Sequence, residues 1–239
     1  GRDYSANISY IADVLDTGRL TLDGFFVKTE RDVTEVSFEE ELDDDETVDS
    51  RVPGLNPTDQ KNWGFGAEYK FDLVGGTTRI SLDHARFQDD SALTEESHSY
   101  ISAAASWEGV WNIDGAEWDG SEAEAEAVDA DDAETGFKLA HKRPFGRAVQ
   151  MELGIDYRQK KRDITYMTLE WEAEDEGDLV VYEPDSTINS VIEQKRLDPY
   201  LQFSGGAGRL GWELGLRYET TDSDIRYVED GNVEGAANS

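Results

Sequence analysis

The feature that most constrains this chain is an alternation of apolar and polar residues that recurs along its length. Tyr4, Ala6, Ile8, Tyr10, Ala12 and Val14 alternate with Ser5, Asn7, Ser9, Ile11 and Asp13. The same pattern places Trp63, Phe65, Ala67, Tyr69, Phe71 and Leu73 on one parity, then Val149, Met151, Leu153, Ile155 and Tyr157, then Leu210, Trp212, Leu214, Leu216 and Tyr218. A repeat of two belongs to an extended strand, whose successive side chains point to opposite faces. Each apolar set spans about nine to eleven residues, the length of a tilted strand that crosses a bilayer. Four less regular strands are expected near 19–36, 77–87, 136–142 and 188–203.

The connections are unequal. Short turns bearing Gly or Pro fall at Asp16-Thr17-Gly18, Val74-Gly75-Gly76, Arg143-Pro144-Phe145-Gly146 and Gly205-Gly206-Ala207-Gly208. Long polar stretches, expected as loops, lie between them at about 39–60, 88–133 and 172–187. A soluble sandwich alternates too, with its apolar face on a core, but it has no reason to gather every long connection at one end. Membrane barrels do so, with short periplasmic turns and long extracellular loops. The expected fold is therefore all-β: an antiparallel meander of about eight strands, forming part of a transmembrane barrel.

Composition agrees. Of the 239 residues, 32% are charged and 37% hydrophobic, and the mean hydropathy is −0.67. No run approaches the roughly 18 apolar residues of a membrane helix. Barrel strands spend only alternate residues on lipid, so a polar average is compatible with them. The net charge of −32 argues against nucleic acid as a partner, because phosphate binding needs a basic footprint. The absence of cysteine excludes a disulfide framework and thiolate metal sites. Cost assigns the faces: a cation near the lipid midplane costs about 2–4 kcal/mol, and an acid less. Turning Glu213, Arg217 and Glu219 inward and Leu214 outward avoids that cost.

Two hairpins carry a family likeness. Lys138-Leu-Ala-His-Lys-Arg-Pro-Phe-Gly146 with Met151-Glu-Leu-Gly-Ile-Asp-Tyr-Arg-Gln-Lys-Lys-Arg-Asp163 resembles a hairpin of TonB-dependent receptors. Arg196-Leu-Asp-Pro-Tyr-Leu-Gln-Phe203 with Trp212-Glu-Leu-Gly-Leu-Arg-Tyr-Glu-Thr220 resembles the next one, and Leu15-Asp-Thr-Gly-Arg-Leu-Thr-Leu22 looks like an earlier hairpin. The resemblance implies an outer-membrane barrel of about 22 strands closed by a plug domain. It implies uptake of a scarce ligand (a siderophore, cobalamin or an oligosaccharide) driven by an inner-membrane energy-coupling complex. The implied partners are outer-membrane lipid, the plug, that complex and the small-molecule ligand.

Neither the plug nor an N-terminal coupling segment has a counterpart in these residues. The connections begin and end on a short turn, which puts both chain ends on the extracellular side, whereas the resemblance implies periplasmic ends for a complete barrel, so the chain is expected to be a fragment of a larger barrel. A complete eight-stranded barrel is the alternative. In a fragment, Tyr4–Val14 and Leu210–Tyr218 should not pair with each other, and the apolar band should be exposed on the convex side. A passive porin, an outer-membrane enzyme and a soluble β-sandwich binding module remain as other readings of function.

Site signals are sparse. His84, His98 and His141 have no spacing that suggests a metal pair, and no serine elbow accompanies them. The acidic runs Glu39–Glu46 and Glu122–Glu134 contain carboxylates suited to hard cations, but they lack the fixed glycine and terminal glutamate of a calcium loop and read as solvated segments. Trp107, Trp111 and Trp118 fall in the longest expected loop. They either grip a sugar or chelate at the barrel mouth or pack the loop on itself. No catalytic residue, metal ligand or cofactor is assigned.

Overall fold

A computed structural model describes residues 1–14, 18–43, 46–102, 117–173, 175, 183–207, 210–229 and 232–238. The described residues form one antiparallel meander. Its segments are β1 (Arg2–Val14), β2 (Gly18–Asp43), β3 (Glu46–Leu73), β4 (Gly76–Ser102), β5 (Glu117–Pro144), β6 (Val149–Glu172), β7 (Glu183–Ala207), β8 (Leu210–Arg217), β9 (Thr220–Glu229) and β10 (Asn232–Asn238). β8 and β9 pair with successive parts of β7 and make one interrupted strand. The interruption has a local cause. Pro199 of β7 accepts a hydrogen bond from the Tyr218 N–H through its carbonyl (3.0 Å) but has no N–H to return, so the ladder breaks at Tyr218–Glu219.

All eight expected strands are present, and β10 adds one that the sequence pattern does not announce. The sheet is open: β1 is paired to β2 and β8 to β7, not to each other, as expected of the first and last clean strands.

The expected loops are corrected in one respect. Much of 39–60 and 88–133 is strand, because β2, β3, β4 and β5 continue as long ribbons beyond the apolar zone. Backbone pairing needs no large apolar face to keep its ladder. Residues 122–127 show how this escapes notice. Ala123 and Ala125 are buried while Glu122 and Glu124 are exposed, a true alternation with only small apolar members.

Register places the apolar parity of every strand on one face. Tyr10, Leu22, Ala67, Leu82, Phe137, Tyr157 and Leu197 are successive cross-strand partners from β1 to β7. The next row is Ala12, Leu20, Tyr69, Ile80, Leu139, Ile155 and Pro199. Directly opposed residues share a face, so these rows build one continuous apolar surface. Among the described residues no second layer covers it. Ile8 is 72% exposed, Leu214 66% and Leu216 78%, and the only buried apolar side chains among the described residues are Ala123, Ala125 and Ala140. A soluble sandwich would bury this face against a second sheet. Its solvent here is hydrocarbon.

The band also slants. On β1 it runs from Tyr4 to Val14, but on β8 it has moved toward the short turns and begins only at Tyr218. Followed through the register, its edges drift by about six to eight residues between β1 and β8, roughly 20–27 Å along the strands for roughly 34 Å across them. That is a tilt of about 30–40°, close to the roughly 35–45° of membrane barrels. The bilayer plane cuts the strands obliquely, and the apolar edge follows the plane.

The short turn at Val74–Gly75 closes β3 onto β4 with Leu73 opposite Gly76. Val74 has φ of 48° and Gly75 of 71°. A two-residue hairpin turn with both φ positive suits Asn-Gly; a β-branched residue is strained there. Val74→Asn should therefore stabilise the folded protein by about 0.5–1 kcal/mol, read as a higher unfolding temperature in detergent micelles. The faces give a second expected outcome. Leu214→Arg should block membrane assembly, whereas Glu213→Arg on the opposite face should assemble, measured as the heat-modifiable folded fraction in outer membranes. Equal assembly would reverse the assignment.

Candidate functional site

The second face of the sheet carries the chemistry. Between the apolar rows lie inward-pointing charges of both signs. Asp198 on β7 is the centre: it is only 2% exposed in a strand where Leu197 and Leu201 on the other face are 37% exposed. Arg196 reaches it from two residues upstream (Nη2–Oδ2, 2.7 Å), and Arg217 of β8 joins the same oxygen. Arg196 also holds Glu219 at 3.2 Å. The other oxygen of Asp198, Oδ1, is buried without a hydrogen-bond partner.

Register would set like charges together here, since Asp156 faces Asp198 and Arg158 faces Arg196. The side chains resolve this by pairing along and across strands. Arg158 binds Glu134 of β5 (2.5 Å) and Asp156 (3.7 Å), and Arg162 and Lys160 share Asp132 at 2.9 and 3.3 Å. Gly136 belongs to this network. A Cβ there would lie 2.5 Å from the Asp83 carboxylate, which leans over the glycine toward β6.

Toward the short turns, the Tyr200 hydroxyl donates to Glu152 (3.0 Å), and Lys138 Nζ sits 5.7 Å from the Tyr200 ring centroid. That ring lies over Gly154, its direct partner, where a Cβ would come within 2.6 Å of it. Glu68 binds Lys70 at 2.5 Å and Arg79 at 3.4 Å. The result is an ionic lattice along one wall, with Arg, Lys, Asp and Glu presented together.

The residues singled out in the sequence fare differently. Trp107 and Trp111 lie outside the described residues. Trp118 stands at the start of β5, where its Nε1–H donates to Ser121 Oγ (3.1 Å). The histidines bind hydroxyls through Nδ1: His84 to Thr135 (2.8 Å), His98 to Ser121 (2.9 Å) and His141 to Thr78 (2.9 Å). His98 Nε2 also stands 3.8 Å from Glu96. Ser121, His98 and Glu96 have the composition of a relay, but the carboxylate leg is longer than a hydrogen bond, and His98 and Ser121 are ladder partners whose backbone N–H groups serve the sheet. Among the described residues no three acidic or histidine side chains converge on a metal-sized space.

Sequence reading did not single out Asp198. Its signal was an Arg-x-Asp on β7 and an Arg-x-Glu on β8, charges of alternating sign at the inward parity.

An open antiparallel sheet with lipid-facing and ionic faces, tilted as barrel strands are, defines the wall of a membrane β-barrel. The chain belongs to the outer membrane protein beta-barrel family, whose model matches residues 110–236. It is accordingly an outer-membrane protein. No curated protein matches it by sequence. Among solved structures, the ferric yersiniabactin uptake receptor FyuA of Yersinia pestis is similar over 99% of this chain and 40% of its own, at 10% identity and a TM-score of 0.38. BauA, the ferric preacinetobactin receptor of Acinetobacter baumannii, is similar over 99% and 41%, at 9% identity and a TM-score of 0.33. The chain thus spans about two fifths of the length of these proteins.

Two outcomes test the electrostatics. Asp198→Ala strands two arginines beside Arg158. Arg196 is 37% exposed and Arg217 52%, so solvent moderates the loss to about 1–3 kcal/mol. Glu213→Ala, at an exposed position, should cost under about 0.5 kcal/mol; unfolding in micelles compares them. Beyond the apolar band, the Arg86 guanidinium holds Asp131 below the usual carboxylate range, with Nε at 2.8 Å. A depressed carboxyl contributes stability above the unfolded-state value near 3.8, and that contribution is lost as pH falls through the lower folded value. Asp131→Asn should flatten the fall in unfolding temperature below about pH 4 and leave the alkaline limb unchanged.

Proposed function

We propose that this chain is part of the barrel wall of a TonB-dependent receptor, which takes up a scarce ligand (a siderophore, cobalamin or an oligosaccharide) across the outer membrane by energy-coupled transport. One observation carries the reading. Arg196 and Asp198 stand in one strand of the second hairpin that resembles those receptors, Arg217 and Glu219 in the other, and these residues meet around the buried Asp198 on the inward face. A dense wall of paired charges suits contact with a folded polar domain, as a plug would provide. The remaining oxygen of Asp198 is an acceptor that such a domain can fill.

In this reading the plug closes the lumen, an inner-membrane complex supplies the energy, and the chain performs passage without catalysis. A passive porin shares the wall and lacks the plug. Planar-bilayer recording of the full-length protein separates the two. The receptor reading expects no steady ohmic conductance from the native protein, and expects uptake of a labelled ferric siderophore, cobalamin or oligosaccharide to stop when a protonophore is added. A constant open-channel conductance with protonophore-insensitive uptake would establish the porin.

A further inference from the structure

The amphipathic sense of the wall reverses where β6, β7 and β9 stand clear of the membrane. Within the span the outward parity is apolar and the inward parity ionic. Beyond Arg162 on β6 the inward residues become Ile164 and Tyr166, and beyond Gln194 on β7 they become Ile192 and Ile188. On β9 they are Ile225 and Tyr227. The outward residues of the same stretches are Asp163 and Thr165, Glu193 and Asn189, and Asp224 and Arg226, with Val191 the exception. Register joins the inward set into one patch: Tyr166 faces Ile188, Ile192 faces Ile225, and Ile164 and Tyr227 flank Ser190. Tyr166 and Tyr227 thus stand two strands apart, about 10 Å across the sheet. Ile225 is 41% exposed and the other five are half-buried. On β7 the patch begins at Ile192 and ends at Ile188, about 20–33 Å along the strand from Asp198 and beyond the lipid-facing edge at Leu197. Hydrocarbon does not account for an apolar surface there, and an apolar patch rimmed by polar residues marks a site of binding.

Charge complementarity selects the occupant. The stretches 39–60, 88–133 and 172–187 hold 30 of the 54 acidic residues and one of the 22 basic ones. On the inward parity Glu95, Glu124, Glu170 and Glu183 are successive cross-strand partners from β4 to β7, with Glu170 four residues beyond Tyr166. Like charges directly opposed across strands destabilise a sheet, and none of these four is ion-paired among the described residues. The Tyr166 hydroxyl ties the patch to this zone by donating to Glu126. A field of one sign around a barrel mouth concentrates ions of the opposite sign and repels its own. Tyrosine rings add to the attraction for a cation. An anion meets neither.

We propose that the ligand is a small cation with an apolar body, seated on Tyr166, Ile188, Ile192, Ile225 and Tyr227, and that the acidic ribbons turn away anionic chelates. The body covers the patch. The cationic group lies toward Glu126 and Glu170, where it relieves the repulsion along the glutamate row. This rests on the receptor reading and adds to it the charge class of the ligand.

The test uses the full-length protein in detergent micelles and one linear ferric trihydroxamate chelate in three forms: cationic with a free terminal ammonium, neutral with that amine acetylated, and anionic with it succinylated. Quenching of tryptophan fluorescence by the ferric centre reports binding and needs no energy coupling. The cationic form should bind about ten-fold more tightly than the anionic form at low ionic strength, with the neutral form between them. In 1 M salt, where the screening length falls to about 3 Å, the gap should close to about two-fold. Tyr166→Ser with Ile188→Asn should weaken the cationic form about ten-fold, the worth of one buried apolar side chain. Glu124→Gln with Glu170→Gln should cut the preference for the cation about three-fold, and Val191→Asn on the outward face should change binding less than about two-fold. The charge series is read on the native protein, so it decides even where a variant does not reach the heat-modifiable folded form. Equal or tighter binding of the anionic form, no binding of the cationic form, or an equal loss in Val191→Asn would overturn the proposal. A preference for the anion with protonophore-sensitive uptake would sink the ligand class alone, whereas protonophore-insensitive uptake would sink the receptor reading.

Discussion

Everything in this structure depends on the antiparallel backbone ladder. Among the described residues large buried side chains are lacking and no second sheet packs on the first. In hydrocarbon an unpaired N–H or carbonyl costs several kcal/mol, so strand-to-strand hydrogen bonding is what permits the strands to cross at all. The ladder runs almost unbroken from β1 to β10, and its interruption at Tyr218–Glu219 traces to a proline that cannot donate. A single-layer sheet of this kind is completed by its surroundings: lipid on one face, and water or protein on the other.

From the ladder follows the division of labour between the faces. A residue's parity decides whether it meets lipid or lumen, and register decides its depth. Depth then sorts the charges. Within the span, acids and bases are inward and paired, as around Asp198. Beyond the rim, the ribbons are acidic. The same residue types thus serve as inward lattice and as acidic ribbon according to their distance along a tilted strand.

The inward lattice also explains glycines that would weaken an ordinary strand. Gly136 accommodates the Asp83 carboxylate, and Gly154 lies beneath the Tyr200 ring. At each, an absent side chain lets a partner side chain lie flat along the wall, where it reaches a group on a neighbouring strand. Tyr200 thereby meets Glu152, and Asp83 leans toward Arg158.

The sequence by itself determined the strand faces, the short turns and the membrane setting. Alternation in stretches such as Tyr4–Val14 and Leu210–Tyr218 is a local property with a local cause. It did not show that β2 to β5 continue through the polar stretches, because most of these residues carry no apolar period, and where Glu122–Ala125 does alternate the apolar member is only alanine. Nor could it assemble the candidate site. Arg196 and Asp198 are adjacent on one strand, but Arg217 joins them only because β8 pairs with β7 in one register, and a slip of one residue would turn it to lipid. Register is a relation between distant segments. The tertiary structure decided it, and with it the Asp198 cluster and the slant of the apolar band.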